Sequence, residues 1–245
     1  AVWSMYDYNR GCCDNICYSG VADIFRLPKF SLSFFRTQIA EGSMLPSGKM
    51  PYEVFIPAYR DEILSDTVMV YGNVDEVELV LNGKTIRRQT ADKGPDSDYI
   101  PVPNGGNGKN LHFPPFTFYG VPKERGVLKA VGYHQGKKVA EYTVKTPGVP
   151  ERLDITYFES GKPATKNDLL IVYVRMLDKQ GVLCPVNGIP VELSVQGGEI
   201  VGPTSYPLEA GVASFLVRTG EISKININAT GKGFSTRKSL KVGKE

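Results

Sequence analysis

A strict two-residue alternation of apolar and polar side chains limits this chain more than any other feature. Val77, Leu79 and Leu81 alternate with Glu76, Glu78 and Asn82. Val191, Leu193 and Val195 alternate with Glu192, Ser194 and Gln196, and Ala213, Phe215 and Val217 repeat the pattern. Ile225, Ile227 and Ala229 do so again, against Lys224, Asn226 and Asn228. Successive side chains on a strand point to opposite faces, so such runs are strands with one face buried. Further strands are expected over 52–56, 67–71, 116–119, 127–133, 138–144 and 153–158. Residues 169–177 are apolar at nearly every position, as a central strand covered on both faces would be.

The punctuation fits this reading. Asn82-Gly83 is a strong signal for a two-residue hairpin, because both positions tolerate positive φ. Gln135-Gly136 reads as a second turn. Residues 92–110, rich in Gly, Asp, Asn and Pro, form a long loop. Thr146-Pro147-Gly148-Val149-Pro150 is a stiff connector, since proline cannot continue a ladder. About seven short strands on the near side and a similar set beyond predict a mainly β chain. It carries two immunoglobulin-like β-sandwiches, residues 46–148 and 149–245.

Residues 1–45 do not belong to this pattern. A short apolar run ends in Trp3, and a polar loop containing Gly and Cys follows through Gly20. Pro28 is suited to the first turn of a helix, and Leu27, Phe30, Phe34 and Phe35 sit near helical spacing. Residues 39–50 read as a linker. Strand, loop and helix together are too small to bury their own apolar residues.

This segment resembles glycoside hydrolase family 2, which includes β-galactosidases, β-glucuronidases and β-mannosidases. The likeness rests on Trp3, Tyr6-Asp7-Tyr8, and Gly20 leading into Asp23-Ile24-Phe25-Arg26-Leu27-Pro28-Lys29. Arg26 to Lys29 is its most specific part. Asp75 to Lys84 also resembles the family's downstream β domains. The resemblance implies that residues 1–45 are the last strand and helix of a (β/α)8 catalytic barrel plus a linker. The two sandwiches would brace that barrel. The first residue is Ala rather than Met, so the chain is expected to be a processed or excised piece.

Retaining glycosidases use two carboxylates ~5–5.5 Å apart. By the resemblance both catalytic glutamates lie upstream of Ala1, and none of Asp7, Asp14, Asp23 and Glu41 matches them. No catalytic residue is therefore expected within the chain. The resemblance places Trp3 in the wall of the sugar pocket, at the C-terminal end of a barrel strand. The residues alone allow an ordinary core aromatic equally well. Asp7 is a second substrate-binding candidate, or a brace for its loop. β-Glucuronidase relatives carry an Asn-x-Lys motif where this chain has Cys17-Tyr18-Ser19, and no lysine occurs between Gly11 and Pro28. A desolvated carboxylate needs a cation or several donors, so a neutral sugar such as galactose is favoured.

Other classes are weaker. The net charge of +3 is spread evenly, which gives nucleic-acid binding little support. The locally basic residues 232–245 read as a solvated final strand and tail. No run approaches the ~20 apolar residues of a membrane helix. Cys12, Cys13 and Cys17 form a loop cluster with Cys184 far away, and neither histidine, His112 nor His134, lies near. Zinc wants four ligands, so free thiols are expected, with no metal and no cofactor. Asn228-Ala229-Thr230 fits a glycosylation sequon but falls inside a predicted strand. Carbohydrate substrate is the expected partner, and the aromatic remnant is expected to dock on a sandwich or drive self-association. A bacterial periplasmic or secreted location is expected. The alternatives are a carbohydrate-binding pair, using exposed aromatics such as Tyr99, Tyr119 and Tyr206, or an adhesin-like spacer.

Overall fold

A computed structural model describes residues 3–11, 15–59, 65–92, 111–158 and 163–243. The chain divides into two compact units, Ala1–Thr146 and Pro147–Glu245. Among the described residues there is one helix, and it is far too short to cross a membrane.

The first unit begins with a small ribbon, β1 (Tyr8–Asn9) against β2 (Ile16–Cys17). Helix α1 (Phe30–Thr37) follows, then a hairpin of β3 (Met44–Leu45) and β4 (Gly48–Lys49). Seven strands complete the unit. They are β5 (Val54–Phe55), β6 (Val68–Gly72), β7 (Glu76–Leu81), β8 (Lys84–Thr90), β9 (Phe116–Phe118), β10 (Val127–His134) and β11 (Lys137–Lys145). They form two antiparallel sheets, ordered β5-β6-β9 and β11-β10-β7-β8.

One core joins these sheets. Val68, Val70, Phe116 and Phe118 from one meet Val77, Leu79, Leu81, Leu128 and Ala130 from the other. The alternation in β7 therefore means what it predicted. Asn82 and Gly83 turn with φ of 51° and 79°, and Gln135 and Gly136 with 49° and 77°, as a two-residue hairpin requires. Strand β8 was not expected, because Lys84-Thr-Ile-Arg-Arg-Gln-Thr90 lacks an apolar rhythm. It is the edge strand beyond β7, where charge protects against unwanted pairing.

The helix begins two residues later than expected. Pro28 pairs across an isolated bridge with Ala22, and Lys29 is extended at φ −85°, ψ 164°. The Lys29 N–H donates to Val21 O at 3.0 Å, which holds the chain out of the helix until Phe30. Helix α1 lies on the small sheet. The Phe30 ring packs on Phe55 and Tyr59, the Phe34 ring meets Tyr71, and Arg36 forks onto Glu53. Residues 39–50, read as a linker, are tied to the sheets. Met50 is buried, and the side chain of Asn73 donates to Ile39 O and Pro51 O at 3.0 Å each while accepting from Glu53 N at 2.6 Å. Fixed polar bonds leave no hydrophobic period to read.

The second unit comprises β12 (Arg152–Tyr157), β13 (Leu169–Leu177), β14 (Pro190–Gln196), β15 (Gly198–Ile200), β16 (Ser205–Pro207), β17 (Val212–Thr219), β18 (Lys224–Gly231) and β19 (Phe234–Lys241). The sheets run β12-β13-β17-β15 and β16-β14-β18-β19, with Val172, Val174, Met176, Leu193, Phe215 and Ile227 in the shared core. Strand β13 is interior, as expected. Its core face is fully buried, whereas the other face runs from half-exposed Leu169 to buried Tyr173. The basic C-terminal run contains the final strand, as expected, and Phe234 and Leu240 on it pack on the core. The connector is clamped: Asp178 accepts from Gly148 N at 2.7 Å and from Val182 N at 2.8 Å. Burial pushes its carboxyl pKa up, but these and two further backbone N–H groups hold it below the usual range.

Candidate functional site

The residues singled out in the sequence lie on a backbone crossing. Residues 4–7 run beside 20–22, with Val21 N donating to Ser4 O at 3.1 Å, Ala22 N to Met5 O at 3.0 Å and Asp7 N to Ala22 O at 2.9 Å. Gly20 sits where the segments touch. A Cβ there would lie 2.2 Å from Asp7 N and 2.3 Å from Tyr6 C, closer than any side chain can approach.

Asp7 is buried beneath this crossing. Its Oδ1 accepts from Gly20 N at 2.8 Å and from Lys29 Nζ at 2.6 Å, and Lys29 also donates to Tyr18 O at 3.0 Å. Asp7 thus ties the start of the segment to the approach to α1.

Trp3 sits above and is 74% exposed. Its indole N–H donates to the Tyr8 hydroxyl at 3.0 Å, and the two rings meet edge to face, 6.2 Å apart at 82°. The Trp3–Ser4 peptide is cis. Tyr8 lies opposite Cys17 in the β1–β2 ribbon. The Cys17 thiol is partly exposed and lies 3.4 Å from Ser19 Oγ, and hydrogen bonds from Ser19 and Tyr8 draw its pKa down to about 7. Met5, Tyr6 and Tyr18 are exposed on the same segment, and the Arg26 guanidinium lies 5.5 Å from the centre of the Tyr6 ring. Sequence reasoning quoted Tyr8 and Lys29 but gave them no role. The motif spacing was visible; the bonds that couple it were not.

This surface can stack and donate hydrogen bonds. Among the described residues it holds no pair of free carboxylates. Asp7 is spent on Lys29 and Gly20, and Asp23 accepts from Leu27 N at 2.8 Å, its carboxyl pKa raised by burial. Asp14, Cys12, Cys13 and Tyr99 lie outside the described residues. Among the described residues no group of three or more His, Cys, Asp and Glu side chains could hold a metal. Cys184 is buried, which pushes its thiol pKa up. Tyr206 is turned inward, edge-on to Phe215 at 5.5 Å, and is not the exposed stacking platform expected. Tyr119 is half-buried.

Comparison with known proteins follows the same residues. Residues 65–140 match a family described as "Domain of unknown function (DUF4982)". A β-galactosidase of Thermoanaerobacter pseudethanolicus is 33% identical over 233 residues, covering 89% of this chain and 29% of that protein. A β-galactosidase of Rhizobium radiobacter is 30% identical over 129 residues, 52% of this chain and 92% of that relative. A β-glucuronidase structure from glycoside hydrolase family 2 superimposes on 98% of the chain with a TM-score of 0.77, at 21% identity. The chain belongs to glycoside hydrolase family 2. It spans under a third of the length of the Thermoanaerobacter member. At 21% identity the glucuronidase likeness speaks for the family 2 fold and not for a sugar.

Proposed function

We propose that this chain is the C-terminal part of a β-galactosidase-like retaining glycoside hydrolase. Residues 1–45 supply the last strand and helix of its catalytic barrel, and two immunoglobulin-like sandwiches brace it. The observation that carries the reading is the exposed indole of Trp3, fixed by Tyr8 at the end of a segment that Asp7, Gly20 and Lys29 hold rigid. An indole face packs on the apolar C–H face of a pyranose and excludes water. Asp7 acts on substrate only by holding that segment in place.

A neutral sugar fits the electrostatics. Lys29, the first lysine of the chain, has its ammonium engaged by Asp7 and Tyr18 O and is not free to take a uronate. The spacer and binding-module alternatives are not favoured, since the relatives matched over most of the chain are named as glycosidases, three as β-galactosidases and one as a putative β-glucuronidase. Cleavage needs an acid for the leaving oxygen and a carboxylate opposite it, and among the described residues of this surface Asp7 and Asp23 are both engaged.

The test compares the full-length enzyme with this chain on nitrophenyl β-galactoside and β-glucuronide. The full-length enzyme is expected to prefer the galactoside and to lose activity on Trp3→Ala, and the chain alone to be inactive. Preference for the glucuronide would overturn the sugar assignment. Turnover by the repurified chain that vanishes on mutating one of its own acidic residues would overturn the placement of the catalytic pair.

A further inference from the structure

The polar atoms of Trp3 and Tyr8 are already spent. The indole N–H, the only donor that a tryptophan side chain owns, goes to the Tyr8 hydroxyl at 3.0 Å. The Tyr8 hydroxyl in turn hydrogen-bonds the Cys17 sulfur, which the β1–β2 register sets opposite it. A hydroxyl has a single proton to give. Giving it to sulfur leaves the Tyr8 oxygen to accept from the indole, so the bonds run one way, from Trp3 through Tyr8 to Cys17. The indole N–H lies in the plane of its ring, so Tyr8 meets Trp3 at its edge. With Trp3 74% exposed, the face of the ring stays open.

An indole held in this way reads a sugar by its C–H pattern alone. A free N–H would reward any nearby sugar oxygen, whichever epimer carries it. A ring face rewards only a patch of C–H bonds, whose positive hydrogens meet its negative surface. In a β-galactoside the axial O4 lies on one side of the pyranose and leaves the C3, C4 and C5 hydrogens turned to the other. In a β-glucoside the C4 hydrogen points away from those on C3 and C5, and the patch is broken.

We propose that Tyr8 determines specificity: by occupying the Trp3 N–H it makes the indole a pure stacking surface, which favours pyranoses with an axial O4 over their equatorial epimers. The proposal rests on the β-galactosidase reading. Tyr8 is a positioning residue and acts only through Trp3.

The experiment has two arms. The chain has one tryptophan, so its NMR spectrum holds one indole N–H signal. In Tyr8→Phe, which keeps the ring and removes one oxygen, that proton is expected to exchange with water about 3- to 10-fold faster, the range of one ordinary hydrogen bond. Backbone signals beyond the N-terminal segment check that the variant is folded. The second arm measures kcat/KM of the full-length enzyme on nitrophenyl β-galactoside and β-glucoside. Tyr8→Phe is expected to lower the galactoside-to-glucoside ratio by about 3-fold or more, whereas a loss of folded enzyme would lower both rates equally. Trp3→Phe has no N–H to occupy, so adding Tyr8→Phe to it should move the ratio by less than about 1.5-fold. Unchanged indole exchange, an unmoved ratio in Tyr8→Phe, or an equal drop in the Trp3→Phe background would each overturn the proposal. A full-length enzyme that prefers galactosides but fails these tests sinks this proposal alone. One that hydrolyses no galactoside sinks the proposed function and this proposal with it.

Discussion

Lys29 places its ammonium 2.6 Å from the buried carboxylate of Asp7, 22 residues earlier in the chain. This bond joins the two ends of the N-terminal segment. Its lysine side chain remains about a third exposed, so solvent weakens it, yet the carboxylate has almost no water of its own. Lys29→Met is therefore expected to destabilise the first unit by about 1–3 kcal/mol by leaving Asp7 buried with one donor fewer. Asp7→Asn should cost less, because a neutral amide needs no counter-charge. Urea unfolding checks the order, and the opposite order would refute the brace.

Gly20 and Gly83 make a controlled pair. Gly20→Ala would push a methyl into the Asp7 backbone, which cannot move aside, so a loss of about 3 kcal/mol or more is expected. Gly83→Ala meets no neighbour and pays only for its positive φ, about 1 kcal/mol. Equal midpoints in denaturant would contradict the crossing.

The thiols should differ sharply. Cys17, partly exposed and with a pKa of about 7, is expected to react with iodoacetamide along a pH profile centred there. Ser19→Ala should move the midpoint upward by removing the largest contribution. Cys184 should stay unmodified until the second unit unfolds. Mass spectrometry of the labelled peptides separates the two.

Asp178 gives the second unit an acid dependence. Its folded pKa lies below the unfolded value of about 3.9, so its contribution is complete above that value. Stability is then lost as pH falls through the folded pKa. Asp178→Asn should flatten this part of the curve, measured by urea unfolding from about pH 6 to pH 2. An unchanged slope would show that the carboxylate is not held by Gly148 and Val182.

The sequence displayed the parts of this fold that hydrophobic burial organises. Leu79, Val191 and Ile225 advertise buried faces through period two, and Asn82-Gly83 advertises a turn through its backbone freedom. What stayed hidden was held by polar bonds between distant residues. Strand β8 exists because β7 offers it a ladder, although its own side chains carry no rhythm. Helix α1 starts late because Val21 claims the Lys29 N–H. The site was partly visible: Trp3 and Asp7 stood out through a family likeness, but Asp7 as a brace required the fold to bring Lys29 beside it.

Asn73 has a practical consequence for anyone moving parts between related enzymes. One side-chain amide reaches the backbone on both sides of the β3–β4 hairpin, at Ile39 and at Pro51, and receives Glu53 as well. A transplant that starts at residue 46 would split the hairpin and strip this amide of its Ile39 partner. A graft from residue 39 onward keeps the knot whole, and chimaeras spliced there should survive expression where those spliced inside the hairpin do not.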